Sequence, residues 1–272
     1  MRETLIVIGL VVLAVALRTA YTPFLRKLGA FTFLAATFCL LYFLTHSIVA
    51  GLGGIALWLF LPWVELLTRI RQMRLPLENH LSQLPIPNPA FFPNATEAAT
   101  AMNEAGFEHV SDCGWEWDGM HQYFRLFWHP EERAVAAVCL CEQSDVAFAF
   151  ISITSVDSSG ITWRTTNFPF ATTLRCPPDV RWNHVPCRRN CFHQILRDHR
   201  EYLSRAHVPE DHLQMPDPDE IEASIEREIR KQIDHNLAIG IIRLTGNTHF
   251  RYSKRGLFFL WGQYIKDMVR LC

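Results

Sequence analysis

The chain has 272 residues, a formal net charge of −1 and a pI near 6.9. From Arg69 onward it carries 22 basic and 25 acidic residues, so it lacks the basic excess of nucleic-acid-binding proteins, and we expect no nucleic-acid partner. The eight cysteines are irregularly spaced, and one of them, Cys39, lies in an apolar stretch. This pattern argues against a disulfide framework and favours free thiols in a reducing compartment.

The first apolar segment covers residues 5–17 and follows a charged Arg2-Glu3 pair. A cleaved signal peptide would have such an apolar core, but no small-residue cleavage site with a polar mature start comes after it. Arg18 follows instead, and a second apolar stretch begins soon after. We therefore favour a first transmembrane helix over about 4–21, with the Arg18 side chain reaching the headgroups.

The dominant feature of the sequence is residues 28–64, which are 37 residues without Asp, Glu, Lys or Arg. At ~1.5 Å per residue a single helix of this length would measure roughly 55 Å, whereas one span needs about 20 residues. Gly51, Gly53 and Gly54 predict a turn, which gives spans of about 31–50 and 55–70 and three transmembrane helices in all. The alternative is one helix over about 31–52 that continues past the membrane, which gives two.

The basic residues favour three spans. In that arrangement six cations share one side of the membrane, and the glycine turn on the other side is uncharged; the six are Arg18, Arg26, Lys27, Arg69, Arg71 and Arg74. By the positive-inside rule their side is cytoplasmic. We therefore predict an integral protein of the inner or plasma membrane, in contact with the lipid bilayer, whose soluble domain faces the cytoplasm. His46 is either a bonded histidine near an interface or the basis of an accessory role in transport.

The soluble part begins after a proline-rich linker over 73–94, whose five prolines predict an extended path. The domain itself, 95–272, opens with a helix over about 96–105, for which Asn94 is the predicted N-cap. Five β-prone segments with short connections follow, at 107–113, 122–128, 133–141, 145–154 and 161–168. They predict an α+β fold with an antiparallel sheet of about five strands and flanking helices. The absence of β-α-β alternation and of a glycine-rich loop argues against Rossmann and P-loop nucleotide folds.

Three further helices are predicted, over 187–207, 216–244 and 256–271. The first places His199 on its apolar face, where we expect a bonded histidine rather than a ligand. The second carries an apolar stripe that packs on the sheet or mediates self-association, formed by Ile221, Ile225, Ile229 and Ile233. The third is amphipathic, follows a basic segment, and is either an interfacial membrane anchor or an ordinary core helix.

The densest cluster of metal-type side chains runs from His184 to His193 and includes Cys187 and Cys191. If a helix begins near Pro186, the two cysteines share a face, but His193 lies about 200° round the axis from Cys191, and the spacing fits no common zinc site. We therefore expect no metal and no cofactor. Arginines beside cysteines at a helix start favour thiolates, so Cys187 and Cys191 are the candidate catalytic residues.

A second constellation combines carboxylates and histidines with aromatic residues along the first two strands, namely Asp112, Glu116, Asp118, His121 and His129 among Trp115, Trp117, Tyr123, Phe124, Phe127 and Trp128. It could line a ligand groove or form an ordinary sheet face with large packing side chains. No catalytic motif with a known mechanism appears. The leading hypothesis is a membrane-anchored module that binds a protein or ligand at the membrane surface. The alternative is a membrane-anchored enzyme that uses thiols around Cys187 and Cys191 or the carboxylate–aromatic groove.

Overall fold

In a computed structural model the chain is an α+β protein, and the structure describes residues 2–20, 22–85, 87, 92–143, 146–186 and 191–271. Its α-helices are α1 (Arg2–Arg18), α2 (Pro23–Thr45), α3 (Ile48–Thr68), α4 (Pro93–Glu104), α5 (Phe192–Arg205), α6 (Ile221–Ala238) and α7 (Lys254–Leu271). Its strands are β1 (Leu75–Pro76), β2 (Ser82–Gln83), β3 (Glu108–Trp117), β4 (Met120–His129), β5 (Ala134–Gln143), β6 (Val146–Val156), β7 (Thr162–Thr166), β8 (Val180–His184), β9 (Ile242–Thr245) and β10 (His249–Tyr252). The predicted α+β class is confirmed.

These elements divide into two compact units. Unit 1 consists of Met1–Leu75, Phe170–Thr173 and Leu237–Cys272, and unit 2 consists of Pro76–Pro169 and Leu174–Asn236. The C-terminal hairpin and α7 therefore group with the N-terminal helices, whereas the sequence predicts a single domain over 95–272.

The N-terminal helices follow one another through short connections, and the break between α2 and α3 falls at residues 46–47. The predicted break at Gly51–Gly54 was therefore wrong. His46 takes a left-handed conformation (φ 52°), and its backbone N–H donates to the Tyr42 carbonyl oxygen (2.7 Å). His46 thus ends α2 at an exposed turn, a place that sequence reasoning had assigned to the glycines.

Gly51 and Gly54 lie inside α3 and are buried against α2. A Cβ added at Gly51 would lie 2.6 Å from ring atoms of Phe38, and one added at Gly54 would clash with Leu41 Cδ1. Small residues that let two helices approach closely are the common contact between helices in lipid. These glycines therefore serve helix packing rather than a turn.

Among the residues that the structure describes, two helical segments are long and apolar enough to cross a membrane, Phe24–Thr45 and Ile48–Gln72. Core helices of soluble proteins and signal sequences can meet the same criteria of length and composition. A core helix is mostly buried, but only 11% of the most apolar 18 residues in each segment is buried here. Leu44 and Val49, for example, are 70% and 79% exposed. With 17 residues, α1 is at the short limit for a span.

The C-terminal part of unit 1 is an antiparallel β9–β10 hairpin followed by α7, with β1 pairing on the other side of β10. α7 packs on α3 through Phe258, whose ring centroid lies 4.9 Å from that of Trp63. The Trp261 indole N–H donates to the Leu59 carbonyl oxygen (2.7 Å). Leu59 precedes Pro62, and a proline disturbs the hydrogen bonding of the helical turn before it. Pro62 has no N–H to donate to the Trp58 carbonyl four residues earlier, and the indole adds a donor at the neighbouring Leu59 carbonyl.

Unit 2 is built on a seven-stranded sheet of order β2-β3-β4-β5-β6-β7-β8, antiparallel except for the parallel pair β7 and β8. The prediction of about five strands was too low. It missed β2 because two residues inside a proline-rich segment carry no alternation, and it missed β8, which joins the sheet through parallel pairing with β7. β3 and β4 are joined by Asp118 and Gly119, both with positive φ (46° and 72°), as the type I′ hairpin turn requires.

Helices cover both faces of this sheet. α4 and α5 pack on one face, where Phe107, Phe127 and Phe192 are fully buried. On the other face Ile221 and Ile225 of α6 pack against the sheet. The first two residues of the isoleucine stripe therefore contact the sheet. Self-association through the stripe stays a prediction.

The boundaries of α4, α5 and α6 also differ from the predicted ones. α4 begins at Pro93, so Asn94 lies inside the helix; proline is favoured at a first helical position because it has no N–H to leave unpaired. α5 begins at Phe192, and residues 187–190, where its start was predicted, lie outside the described part of the chain, as do 86 and 88–91 of the predicted linker. α6 ends at Ala238 rather than 244, because Gly240 (φ 72°) turns the chain into β9.

Candidate functional site

A groove of about 360 Å³ opens at the outer edge of the sheet in unit 2. It lies between the chain segment that leads into β2 and the end of β3. Two tryptophans, two glutamates and a histidine combine with smaller residues in its lining, which consists of Pro76, Glu78, Asn79, His80, Ser82, Leu84, Trp115, Glu116 and Trp117. This volume is at the lower end of the range for sites that bind small molecules.

The groove exists because β2 is only two residues long and begins at Ser82. Ser82 pairs with Gly114 of β3, but the preceding Leu81 donates its N–H to Glu226 Oε1 on α6 (2.6 Å). The chain thereby leaves the sheet edge on the N-terminal side of Ser82. The end of β3 beyond Gly114 is left without β2 as a neighbour, and its side chains line the groove.

The groove is acidic and aromatic. Glu78 and Glu116 are exposed and have basic neighbours, since Arg230 Nη1 lies 3.7 Å and His80 Nε2 lies 3.8 Å from Glu78, and His121 Nδ1 lies 2.7 Å from Glu116. His80 Nδ1 also lies 3.6 Å from Glu226, so the carboxylates still outnumber the arginine. Unit 2 as a whole carries 13 basic and 24 acidic residues. Carboxylates attract a cation by charge, and the face of an indole ring attracts it through its quadrupole. The arrangement therefore suits a ligand with a positive charge.

Part of the predicted carboxylate–aromatic constellation lies in this groove, namely Trp115, Glu116 and Trp117. The two residues that complete it, Glu78 and His80, belong to the segment predicted to be a linker. Nothing in a proline-rich sequence indicates that it returns to the edge of a sheet, so sequence reasoning missed them. The only sequence signal was that Glu78 and His80 are ionisable residues in a segment whose one other ionisable residue is Arg74.

The predicted site residue Asp112 forms a separate cluster on the α4 face. Arg125 Nε and Nη2 donate to its two carboxylate oxygens (2.9 and 3.0 Å), and His109 Nε2 lies 3.2 Å away. Burial alone would raise the pKa of Asp112, but side-chain interactions, above all the hydrogen bonds from Arg125, outweigh it and the pKa is lowered. The cavity beside Arg125 measures only about 40 Å³, room for a few waters at most. We interpret this cluster as a structural ion pair.

The remaining members of the constellation have local roles. Asp118 forms the β3–β4 turn, and His121 Nδ1 lies 2.7 Å from Oε1 of Glu116 on the neighbouring strand. His129 Nδ1 accepts the backbone N–H groups of Glu131 and Glu132 (3.1 and 3.2 Å) and so stabilises the turn after β4. None of these contacts brings the three residues to one site.

Of the two candidate catalytic cysteines, Cys187 lies outside the described residues, and Cys191 is exposed immediately before α5. Burial raises the pKa of Cys113 and of Cys141 to about 12, so these thiols are protonated and inert near neutral pH. Within the described part of the chain, no group of three or more His, Cys, Asp or Glu side chains is arranged to hold a metal ion.

His199 forms a buried polar network between α5 and the sheet. Its Nε2 lies 3.2 Å from Ser155 Oγ and its Nδ1 lies 2.9 Å from Thr165 Oγ1, which confirms the predicted bonded histidine. Burial lowers the pKa of His199 to about 4, so the ring is neutral at pH 7. The contact resembles a nucleophile–base pair, but Ser155 is 2% exposed and has no access to a substrate. The network therefore has a structural role.

Comparisons with protein-family models, with curated proteins and with solved structures find no match to this chain. The residues themselves therefore carry the functional inference.

Proposed function

We propose that this chain is an integral protein of an inner or plasma membrane and that α1, α2 and α3 all span the bilayer. The exposed apolar surfaces of α2 and α3 support two of these spans. Close packing supports the third, because a Cβ added at Gly29 of α2 would lie 2.9 Å from Arg18 Cγ and 3.0 Å from the Ala14 carbonyl oxygen of α1. Such contact between small residues is typical of helices that associate in lipid.

The proposed orientation places the end of α3 and the sheet of unit 2 in the cytoplasm. With the break at residues 46–47, the α2–α3 turn carries no Lys or Arg, and the six cations named above still flank the opposite ends of the helices. Reporter fusions after residue 47 and after residue 95 should report opposite sides of the membrane. An N-terminal tag on the outer side supports three spans, whereas a tag on the cytoplasmic side supports two.

We further propose that unit 2 is a binding module whose groove takes the arginine or lysine side chains of a partner protein. The observation that carries this proposal is the convergence of Glu78, Glu116, Trp115 and Trp117 on one groove of about 360 Å³. The negative charge of unit 2 would steer a basic partner towards it.

A labelled tri-arginine peptide, measured by fluorescence anisotropy with the full chain in detergent, tests this proposal. We expect E78Q/E116Q and W117A each to weaken binding about fivefold or more, with a stronger effect at low salt. E201Q/E220Q removes two exposed carboxylates elsewhere in unit 2 and should leave binding unchanged. Absence of binding to the wild-type chain, or an equal loss in this control, would contradict the proposal.

A thiol-dependent activity is the second candidate, because Cys191 is exposed directly before a helix of 14 residues. The N-terminal end of a helix stabilises a thiolate. Titration of the folded chain with a thiol reagent at pH 7 should then show Cys191 reacting faster than the same thiol in the denatured chain. A slower reaction, or none before denaturation, would remove this candidate.

A further inference from the structure

Unit 1 carries a strong positive charge that the near-neutral net charge of the chain conceals. It contains 13 basic and 3 acidic residues. Nine of the basic residues, but only one acidic residue, lie in 69–75 and 237–272, the parts of unit 1 that follow α3 and α6. The single acidic residue, Asp267, accepts a hydrogen bond from the Ala171 backbone N–H (2.7 Å).

The fold brings these cations together from segments that are far apart in sequence. The short helical turn Ile70–Gln72 after α3 packs against β10, and β1 pairs with β10 in the three-stranded sheet. The hairpin and the first residue of α7 thus lie beside the chain that leaves α3. We name the exposed cations of these segments the basic collar, which consists of Arg71, Arg74, Arg243 and Lys254.

The charge of the basic collar is available to a ligand. None of its four side chains takes part in an ion pair with another described residue. By contrast, arginines on the surface of unit 2, such as Arg200, Arg205 and Arg227, are paired with glutamates.

Aromatic residues place the basic collar close to a membrane surface. Trp261 of α7 stacks on Phe60 of α3 and lies at a tilt to Trp63, with ring centroids 6.3 Å apart in each pair. Tryptophans concentrate at the headgroup level of membrane proteins, and Arg71 follows shortly after Trp63 along the chain. A cluster of basic residues in this position is what anionic lipid headgroups attract.

We propose that the basic collar binds the phosphate groups of anionic lipids in the leaflet that it faces. This inference rests on the proposed membrane anchoring and adds the class of lipid that unit 1 selects. Arginine can bind phosphate in a bidentate manner, and lysine binds it as a point charge. Each cation near an anionic surface strengthens the attraction by about fivefold.

The test uses the full chain in vesicles of phosphatidylcholine with one fifth phosphatidylglycerol. Energy transfer from tryptophan to trace dansyl-labelled phosphatidylglycerol is compared with transfer to dansyl-labelled phosphatidylcholine. We expect the wild-type ratio to exceed one by severalfold at 50 mM salt and to approach one at 500 mM, because salt screens exposed charges. R71Q/R74Q/R243Q/K254Q should bring the ratio close to one, and R71K/R74K/R243K/K254R should preserve it.

R205Q/R227Q removes two arginines of unit 2 and should leave the ratio unchanged. A wild-type ratio of one, an unchanged ratio in the quadruple glutamine variant, or an equal loss in R205Q/R227Q would overturn the proposal. Displacement by inorganic phosphate at constant ionic strength would indicate a site for free phosphate and would also overturn it. Failure of the wild-type chain to enter vesicles would instead contradict the proposed membrane anchoring.

Discussion

The three glycines of α3 provide a matched test of how this part of the chain is built. Gly51 and Gly54 are buried against α2, whereas a Cβ added at Gly53 would have nothing within 4 Å. A turn formed by these residues would make all three alanine substitutions unfavourable. Packing between two helices predicts that the three substitutions differ.

The expected magnitudes follow from two opposing effects. Replacement of glycine by alanine inside a helix stabilises it by about 1 kcal/mol. At Gly51 the new methyl group would lie 2.6 Å from the Phe38 ring, far inside the carbon contact distance of about 3.5–4.0 Å, and overpacking of this kind costs about 1–3 kcal/mol. At Gly54 the clash is with Leu41 Cδ1, the end of a flexible side chain that can move away. We therefore expect stability in the order G53A, then G54A, then G51A.

Unfolding of the purified chain by SDS in mixed micelles, followed by tryptophan fluorescence, measures these differences. G53A should unfold at a slightly higher SDS fraction than the wild type, and G51A should lie about 1–3 kcal/mol below G53A. Agreement of G51A and G53A within about 0.5 kcal/mol would refute the helix contact. An equal loss of stability in all three alanine variants would support the turn predicted from the sequence.

Two further predictions concern one hydrogen bond and one titrating group. W261F keeps an aromatic ring but removes the donor to the Leu59 carbonyl oxygen, so the free energy of unfolding should fall by about 1 kcal/mol in the same SDS assay. Burial lowers the pKa of His199 to about 4 from a usual value near 6.5. The neutral ring therefore contributes to the free energy of unfolding above pH 6.5, and this contribution, about 3 kcal/mol in total, is lost as the pH falls towards 4. Urea unfolding between pH 4 and 7 should show this loss in the wild type and in H121Q, whose histidine is exposed, but a shallower pH dependence in H199N.

The elements that sequence reasoning predicted well are those whose pattern is local. The strands around 122–128 and 133–141 and the isoleucine stripe of α6 carry their periodicity within themselves, and they lie close to where they were predicted. The α2–α3 break was misplaced because glycine has two uses, in turns and in close helix contacts, and only the partner helix decides between them. Likewise, β8 depends on pairing with β7, and the groove depends on a segment that returns to the edge of the sheet.

The distribution of charge is another feature that depends on tertiary contacts and is not evident from the sequence alone. Counted along the chain, the part after Arg69 is slightly acidic, which argues against a nucleic-acid partner but suggests no strong field anywhere. When the residues are instead grouped by compact unit, unit 1 contains 13 basic and 3 acidic residues, and unit 2 contains 13 basic and 24 acidic residues. The sequence cannot reveal this division because residues 237–272 belong with the N-terminal helices through packing such as that of Phe258 on Trp63. Two opposite fields within one nearly neutral chain are the physical reason why anionic lipid and a basic partner can be proposed for the same protein without conflict.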